Sequence, residues 1–176
     1  VRDILANRKP KDWDVTTNAK PEQIVALFTN TFYENDYGTV GVVNEEEDID
    51  PTLKVVEVTP YRIEGKYSDN RRPDEVTWSN NLLDDLKRRD FTINAIALSV
   101  KGDDQEIIDP HDGQQDLKDG VVRTVGNPHE RFAEDGLRIM RAVRIANDLN
   151  FTIDAQTEKA IVEQGSLLKS MSAERI

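Results

Sequence analysis

Extended, β-branched segments crowd the first two-thirds of the chain, and helical periodicity takes over the last third. Apolar and β-branched runs bounded by turn residues predict strands at Trp13–Thr16, Gly38–Val43, Leu53–Tyr61, Phe91–Val100, Glu106–Ile108 and Val121–Val125. Helical spacing follows Pro21 over Glu22–Phe28, runs from Leu82 to Arg88, and dominates Pro128–Leu149 and Asp154–Leu168. Strands first and helices last predict an α+β unit over residues 1–127 and a helical segment over 128–176. At 176 residues the chain is long enough to bury a core without staples.

Charge narrows the functional classes only after it is located. The formal net charge of −11 argues against a nucleic-acid partner, since backbone phosphates demand Lys and Arg. The deficit is local, however: residues 31–85 carry 14 acidic and 5 basic side chains, and residues 101–120 carry 7 and 2. Much of it sits in two polar stretches, Asn44–Asp50 and Lys101–Asp104, that read as solvated loops. The cations cluster elsewhere, at Lys87-Arg88-Arg89 and at Arg138, Arg141 and Arg144. No apolar run approaches the roughly 18 residues of a membrane helix. The chain contains no cysteine, which excludes disulfides and thiolate zinc sites and suits a reducing cytoplasm. Neither His111 nor His129 has a partner at metal-ligand spacing, so both read as structural.

Asp12-Trp13-Asp14 is the first chemical candidate. On an extended strand residues i and i+2 share a face, so both carboxylates would look into one small volume, with Trp13 and Val15 turned away. Such a pair calls for a hard divalent cation. Asp48-Ile49-Asp50 has the same spacing, but three preceding glutamates and a following proline assign it to a loop. Glu57 interrupts the apolar run Leu53–Thr59. It is either an edge-strand glutamate facing water or, if its strand pairs with that of Asp14, a third carboxylate of a metal site.

Four ordered segments resemble the class II tRNA nucleotidyltransferases, the family of CCA-adding enzymes and bacterial poly(A) polymerases. Val1-Arg-Asp3 with Arg8–Thr17 is similar to the first motif, without the two glycines that normally precede it; Arg88–Ala95 resembles the second. Asp109–Leu117 with Val122–Gly126 resembles the third, and Glu134–Arg138 with Arg141 the fourth. Ala173–Ile176 resembles the opening of a fifth motif, which places the chain as the front of a longer protein.

The resemblance implies a nucleotidyltransferase head over 1–127, with a mixed, largely antiparallel sheet flanked by helices, and the start of a helical neck over 128–176. It implies Mg2+ on Asp12 and Asp14, with Glu57 assisting, and triphosphate contacts from Arg2 and Asp3. Arg89, Asp90 and Asn94 would face the ribose, Asp135 and Arg138 the base, and Arg141 and Arg144 the triphosphate or the RNA end. Asp135 and Arg138, three apart on one helix, would set an acceptor beside a donor. That pattern complements the amino group and ring nitrogen of cytosine and adenine and opposes guanine and uracil. The implied reaction is CCA addition to the tRNA 3′ end from CTP and ATP, with no DNA and no membrane. Its alternatives are a poly(A) polymerase or A-adding enzyme, and a non-catalytic nucleotide-binding module. The Gly-, Pro- and Asp-rich stretch Thr59–Val76 reads as a loop, and a flexible loop at this point favours CCA or A addition. Two departures from the family pattern are the acidic segment 44–52 and Tyr37, where relatives often carry histidine.

Overall fold

The computed structural model describes residues 1–35, 37–67 and 73–171. A four-stranded sheet organises the front of the chain: β1 (Asp14–Thr17), β2 (Thr31–Tyr33), β3 (Val40–Val43) and β4 (Val55–Pro60), in the order β1-β4-β3-β2. β1 runs parallel to β4, and the two other pairings are antiparallel, so the sheet is mixed and largely antiparallel as expected. Helix α1 (Arg2–Leu5) precedes it. Helix α2 (Pro21–Leu27), opened by a proline at its first position, covers one face and buries Ile24 against Val40 and Val58, with Val42 and Val56 beside them. Alternation along β3 and β4 sends the other set, Gly41, Glu57 and Thr59, to the opposite face.

A second set of elements carries the chain from the sheet to the helices. Strands β5 (Arg62–Glu64) and β6 (Val76–Trp78) form a hairpin, as do β7 (Ala97–Lys101) and β8 (Asp104–Ile108). Helix α3 (Leu82–Lys87) starts on Asn81, whose side chain accepts from Leu83 N–H. Helix α4 (Gly113–Asp119) ends on Gly120 in the left-handed conformation. Then come β9 (Val121–Val122), α5 (Pro128–Glu134), α6 (Leu137–Leu149), β10 (Thr152–Ile153) and α7 (Ala155–Gln164), with β9 and β10 paired in parallel. The main core joins Phe91, Ile93 and Val122 to Ala142, Ile145 and Ala146 of α6. Among the described residues no helix is long and apolar enough to cross a membrane.

Several expected elements are corrected. The strand expected over Phe91–Val100 is a 3-10 turn at Thr92–Asn94 followed by β7. Asp90 Oδ1 accepts from Phe91 N–H, and Thr92 N–H bonds to Arg123 O, so local capping and a tertiary bond override β propensity. Val121–Val125 keeps only two residues in β9, plus a bridge from Thr124 to Phe91. The helix expected over Pro128–Leu149 breaks at Asp135, whose backbone is extended and whose Oδ1 accepts from Leu137 N–H. Gly136 behind the break packs close to Leu167 and Met171, where an added Cβ would stand 3.2 Å from Leu167 Cβ and 2.9 Å from Met171 Cε.

Helical spacing predicts Leu137, Met140, Val143 and Ala146 as the apolar face of α6; the buried face is instead Ile139, Ala142, Ile145 and Ala146, and Val143 is exposed. Thr59–Val76 is not a continuous loop, because its ends complete β4, β5 and the start of β6; residues 68–72 lie outside the described residues, as does Ala173–Ile176. Helices α1 and α4 and strands β2, β5 and β10 lie outside the segments that sequence pattern predicts as helix or strand.

Candidate active site

The sheet brings Asp14 and Glu57 together. β1 pairs with β4 so that Asp14 stands directly opposite Glu57, and the next strand places Gly41 opposite Glu57 in turn. β4 lies inside the sheet, which removes the edge-strand reading of Glu57. Asp12 departs from expectation: β1 begins at Asp14, and Asp12 and Trp13 precede it, with Trp13 O accepting from Glu57 N–H. Trp13 and Val15 keep exposed surface instead of packing inward. Asp12 still acts on both neighbours. Lost hydration, then Asp12, hold the Asp14 carboxyl above its ordinary range, while Arg89 pulls the other way. Lost hydration, then Asp14, Glu34 and Asp12, do the same to Glu57.

Among the described residues no three His, Cys, Asp or Glu side chains stand close enough to form a metal cage. Two opposed carboxylates whose mutual repulsion is only partly offset by Arg89 still fit a hard divalent ion, since magnesium is commonly held by one or two carboxylates plus substrate phosphates.

The same charge has a consequence for stability. A carboxyl whose pKa is raised in the fold binds protons more readily there than in the unfolded chain. Stability is therefore unaffected below the ordinary carboxylate pKa and falls as pH rises through the window up to the raised value. Asp14→Asn is expected to raise the Tm of the metal-free protein at pH 7 in differential scanning calorimetry, and to leave it unchanged near pH 3. A lower Tm at pH 7 would contradict the repulsion.

On the β1 side, a hydrogen-bonded chain links three of the four motifs. Arg2 on α1 pairs with Asp3 (2.9 Å) and donates to Asn94 Oδ1 (2.8 Å). Asn94 Nδ2 donates to Asp90 Oδ1 (3.1 Å), and Arg141 of α6 donates through Nε to Asp90 Oδ2 (2.7 Å). Asp135 lies in the field of Arg138, Arg141 and Asp90; burial, the largest influence, pushes its carboxyl above the ordinary range.

Asp135 and Arg138 do not share a helix, because the break between α5 and α6 separates them. Arg138 is buried and donates to Glu134 Oε2 (2.6 Å), Arg131 O and Arg88 O. Arg144 is exposed on α6.

Sequence reasoning missed two buried carboxylates that hold this assembly. Asp85, 0% exposed, accepts from Arg88 Nη2 (2.5 Å) and Arg89 Nη2 (2.9 Å), with the Thr16 hydroxyl of β1 3.4 Å away. Burial pushes its carboxyl up, but Arg89 and Arg88 outweigh it and hold it below the ordinary range. Its spacing of three and four before two arginines at a helix end was the available signal. Arg88 also meets Glu64 of β5 (3.2 Å), which binds Arg62 (2.8 Å) and the Tyr67 hydroxyl. Arg62 in turn lies 5.4 Å from the centre of the Tyr37 ring, which gives Tyr37 a structural partner.

Asp116 is the second. It accepts from the Thr92 hydroxyl (2.6 Å) and from Arg123, whose Nη1 reaches Asp154 (2.5 Å), the residue capping α7. The 3-10 turn carrying Asn94 thus rests on the third motif. A Cβ on Gly113 would collide with Thr92 O. Gly113→Ala is expected to cost about 1–3 kcal/mol by overpacking, read from urea unfolding midpoints. No loss would contradict this contact. His129 pins α5 to α7 through Glu163 (2.6 Å), while His111 Nε2 is buried and has no hydrogen-bond partner among the described residues.

A mixed sheet with Asp14 and Glu57 on its open face and Arg89 acting on Asp14, together with the Arg2–Asn94–Asp90–Arg141 chain, is the arrangement of a nucleotidyltransferase-type head. Residues 1–123 match the family described as "Poly A polymerase head domain", and the chain belongs to that family. Residues 150–176 match a second, "Probable RNA and SrmB- binding site of polymerase A". The chain is 49% identical over its whole length to a CCA-adding enzyme of Enterococcus faecalis, of which it covers 41%. It is 45% identical to one of Lactobacillus helveticus, of which it covers 42%. It thus spans about two-fifths of the curated relatives it matches.

Among solved structures, the Bacillus stearothermophilus CCA-adding enzyme in complex with CTP superposes with a TM-score of 0.84 at 40% identity, covering 99% of this chain and 40% of that one. A tRNA nucleotidyltransferase complexed with a primer tRNA and an incoming ATP analog matches with a TM-score of 0.74 at 30% identity, covering 99% and 47%.

Proposed function

We propose that the protein carrying this chain adds CCA to the 3′ end of tRNA from CTP and ATP. The observation that carries the reading is the Asp14–Glu57 pair across β1 and β4, set beside the chain Arg2–Asn94–Asp90–Arg141. Relatives at 45–49% identity bear the name CCA-adding enzyme, and related structures hold CTP or a primer tRNA with an ATP analog. In the reaction the 3′-hydroxyl of the acceptor attacks the α-phosphate of the nucleotide and pyrophosphate leaves. In this reading residues 1–127 are the head and 128–176 the start of the neck, and the protein works in the cytoplasm, a reading with which a cysteine-free sequence agrees.

Asp14 and Glu57, with Asp12 adjacent, would hold Mg2+, which supplies neutralisation of charge on the phosphate oxygens. Arg2, steadied by Asp3, and Arg141 and Arg144 offer always-ionised guanidinium groups to phosphates. Asp85 holds Arg89 beside Asp14, and Asp90 and Asn94, each fixed by a hydrogen bond, face the ribose. Asp135 keeps Oδ2 for the amino group of cytosine or adenine, and Arg138 supplies the neighbouring donor to the ring nitrogen. Guanine and uracil would set a carbonyl against the carboxylate and an N–H against the guanidinium.

The test offers each labelled nucleoside triphosphate to a tRNA transcript lacking its last three nucleotides. Incorporation of C and A without G or U is expected. Equal use of all four would contradict the base-reading assignment.

A further inference from the structure

One row of the sheet carries more than carboxylates. The registers align Asp14 with Glu57, Glu57 with Gly41, and Gly41 with Phe32, so these four residues share the open face of successive strands. Phe32 is 42% exposed, and the end of its ring folds inward over Gly41: a Cβ there would collide with Cζ, Cε1 and Cε2. Strands stand about 4.8 Å apart, so the ring end lies roughly one strand from Glu57 and two from Asp14. Glycine at position 41 is what permits this inward fold. The same face carries Asp14, Glu57, Glu34 and threonines, with Val43 and Val55 further along β3 and β4; Phe32 is the aromatic side chain in the row of Asp14 and Glu57.

Arg89 acts on Asp14, and Asp85, which binds Arg89 at 2.9 Å, stands 3.4 Å from the Thr16 hydroxyl of β1, so this cation belongs to the β1 side of the row. An in-line displacement keeps attacking and leaving groups on opposite sides of the phosphorus. With the incoming nucleotide on the arginine side, the attacking 3′-hydroxyl approaches from the Glu57 side, where Phe32 stands. Among the described residues the charged groups that act on Glu57 are Asp14, Glu34 and Asp12, all of which repel a phosphate. The uncharged part of a terminal nucleotide is its base, and an aromatic face stacks on any base.

We propose that Phe32, seated over Gly41, is a stacking platform for the 3′-terminal nucleobase of the RNA acceptor. The assignment rests on the nucleotidyltransferase reading of the site and adds to it the subsite on which the acceptor end rests.

The experiment compares two tRNA acceptors, one intact and one abasic at its terminal nucleotide, by equilibrium binding and by initial rates. The full-length protein is used as wild type, Phe32→Leu and Phe32→Trp, with melting curves recorded for each. The wild type is expected to bind the abasic acceptor about tenfold more weakly than the intact one. Phe32→Leu keeps apolar packing but lacks a planar face, so it is expected to bind both acceptors equally, at the weaker level, with the KM for CTP unchanged. Phe32→Trp is expected to keep the discrimination. If Phe32→Leu discriminates as the wild type does, the platform is refuted. Discrimination in binding without incorporation by the wild type would leave the platform standing and refute the nucleotidyltransferase reading instead.

Discussion

Asp14→Asn is expected to reduce nucleotide incorporation by at least about 10³-fold, a loss of roughly 4 kcal/mol of transition-state stabilisation. The magnitude follows from what the side chain does in the account. It is one of two carboxylates opposed across β1 and β4 and would be half of the anchor for a divalent ion, with asparagine unable to supply the charge. The same substitution relieves repulsion from Asp12 and Glu57, so loss of activity should accompany a rise rather than a fall in Tm. That pairing of outcomes separates a functional carboxylate from a structural one, because removing a structural carboxylate lowers both. Single-turnover incorporation rates alongside calorimetry provide the check, and an active Asp14→Asn protein would remove this site from the chemistry.

Asp85→Ala is expected to produce the largest loss of stability, about 3–5 kcal/mol, because it strands two arginines around a carboxylate that is fully enclosed. A domain of this size has a total stability of roughly 5–15 kcal/mol, so the fall in Tm should be on the order of 10 °C. The pH dependence has the opposite sign to that of Asp14. The Asp85 carboxyl is held below its ordinary range, so its contribution is fully present above the unfolded carboxylate pKa and is lost as pH falls through the lowered value. Wild type and Asp85→Ala should therefore converge in stability in strong acid. An unchanged urea midpoint at pH 7 would show that the cluster does not hold α3 to the sheet.

The strands and helices that sequence made legible are those whose signal is local. β-branched, apolar content between turn residues predicts strands at Gly38–Val43 and Leu53–Tyr61, and β3 and β4 lie inside those segments. The proline at the start of α2 marked its first turn. The likeness of Val1–Asp3, Arg88–Ala95 and Glu134–Arg138 to known motifs singled out Arg2, Asp90, Asn94 and Arg141 as nucleotide contacts. The structure joins those four in one hydrogen-bonded chain.

What escaped the sequence depends on partners distant along the chain. The turn at Thr92–Asn94 exists because Asp116 and Arg123, 24 and 31 residues further on, hold Thr92; β-branched residues in isolation argue for a strand. The break at Asp135 is marked by its extended backbone and its side-chain cap on Leu137 N–H, which unbroken helical spacing does not announce. Asp85 was hidden in a helix of ordinary pattern, and only the fold shows that it faces inward between Arg88, Arg89 and Thr16. Phe32 fell in a segment too short to be read as a strand, and its place beside Glu57 is set by register alone.

The central claim is the template-free synthesis of one short, defined sequence, and the most direct measurement is the sequence of the product. A tRNA transcript ending before its CCA is incubated with the full-length protein, magnesium, CTP and ATP together, and the new 3′ ends are sequenced. The account predicts that the added tail is CCA and stops there. Tails of repeated A, added equally well to unrelated RNA, would contradict it and assign the protein to poly(A) synthesis.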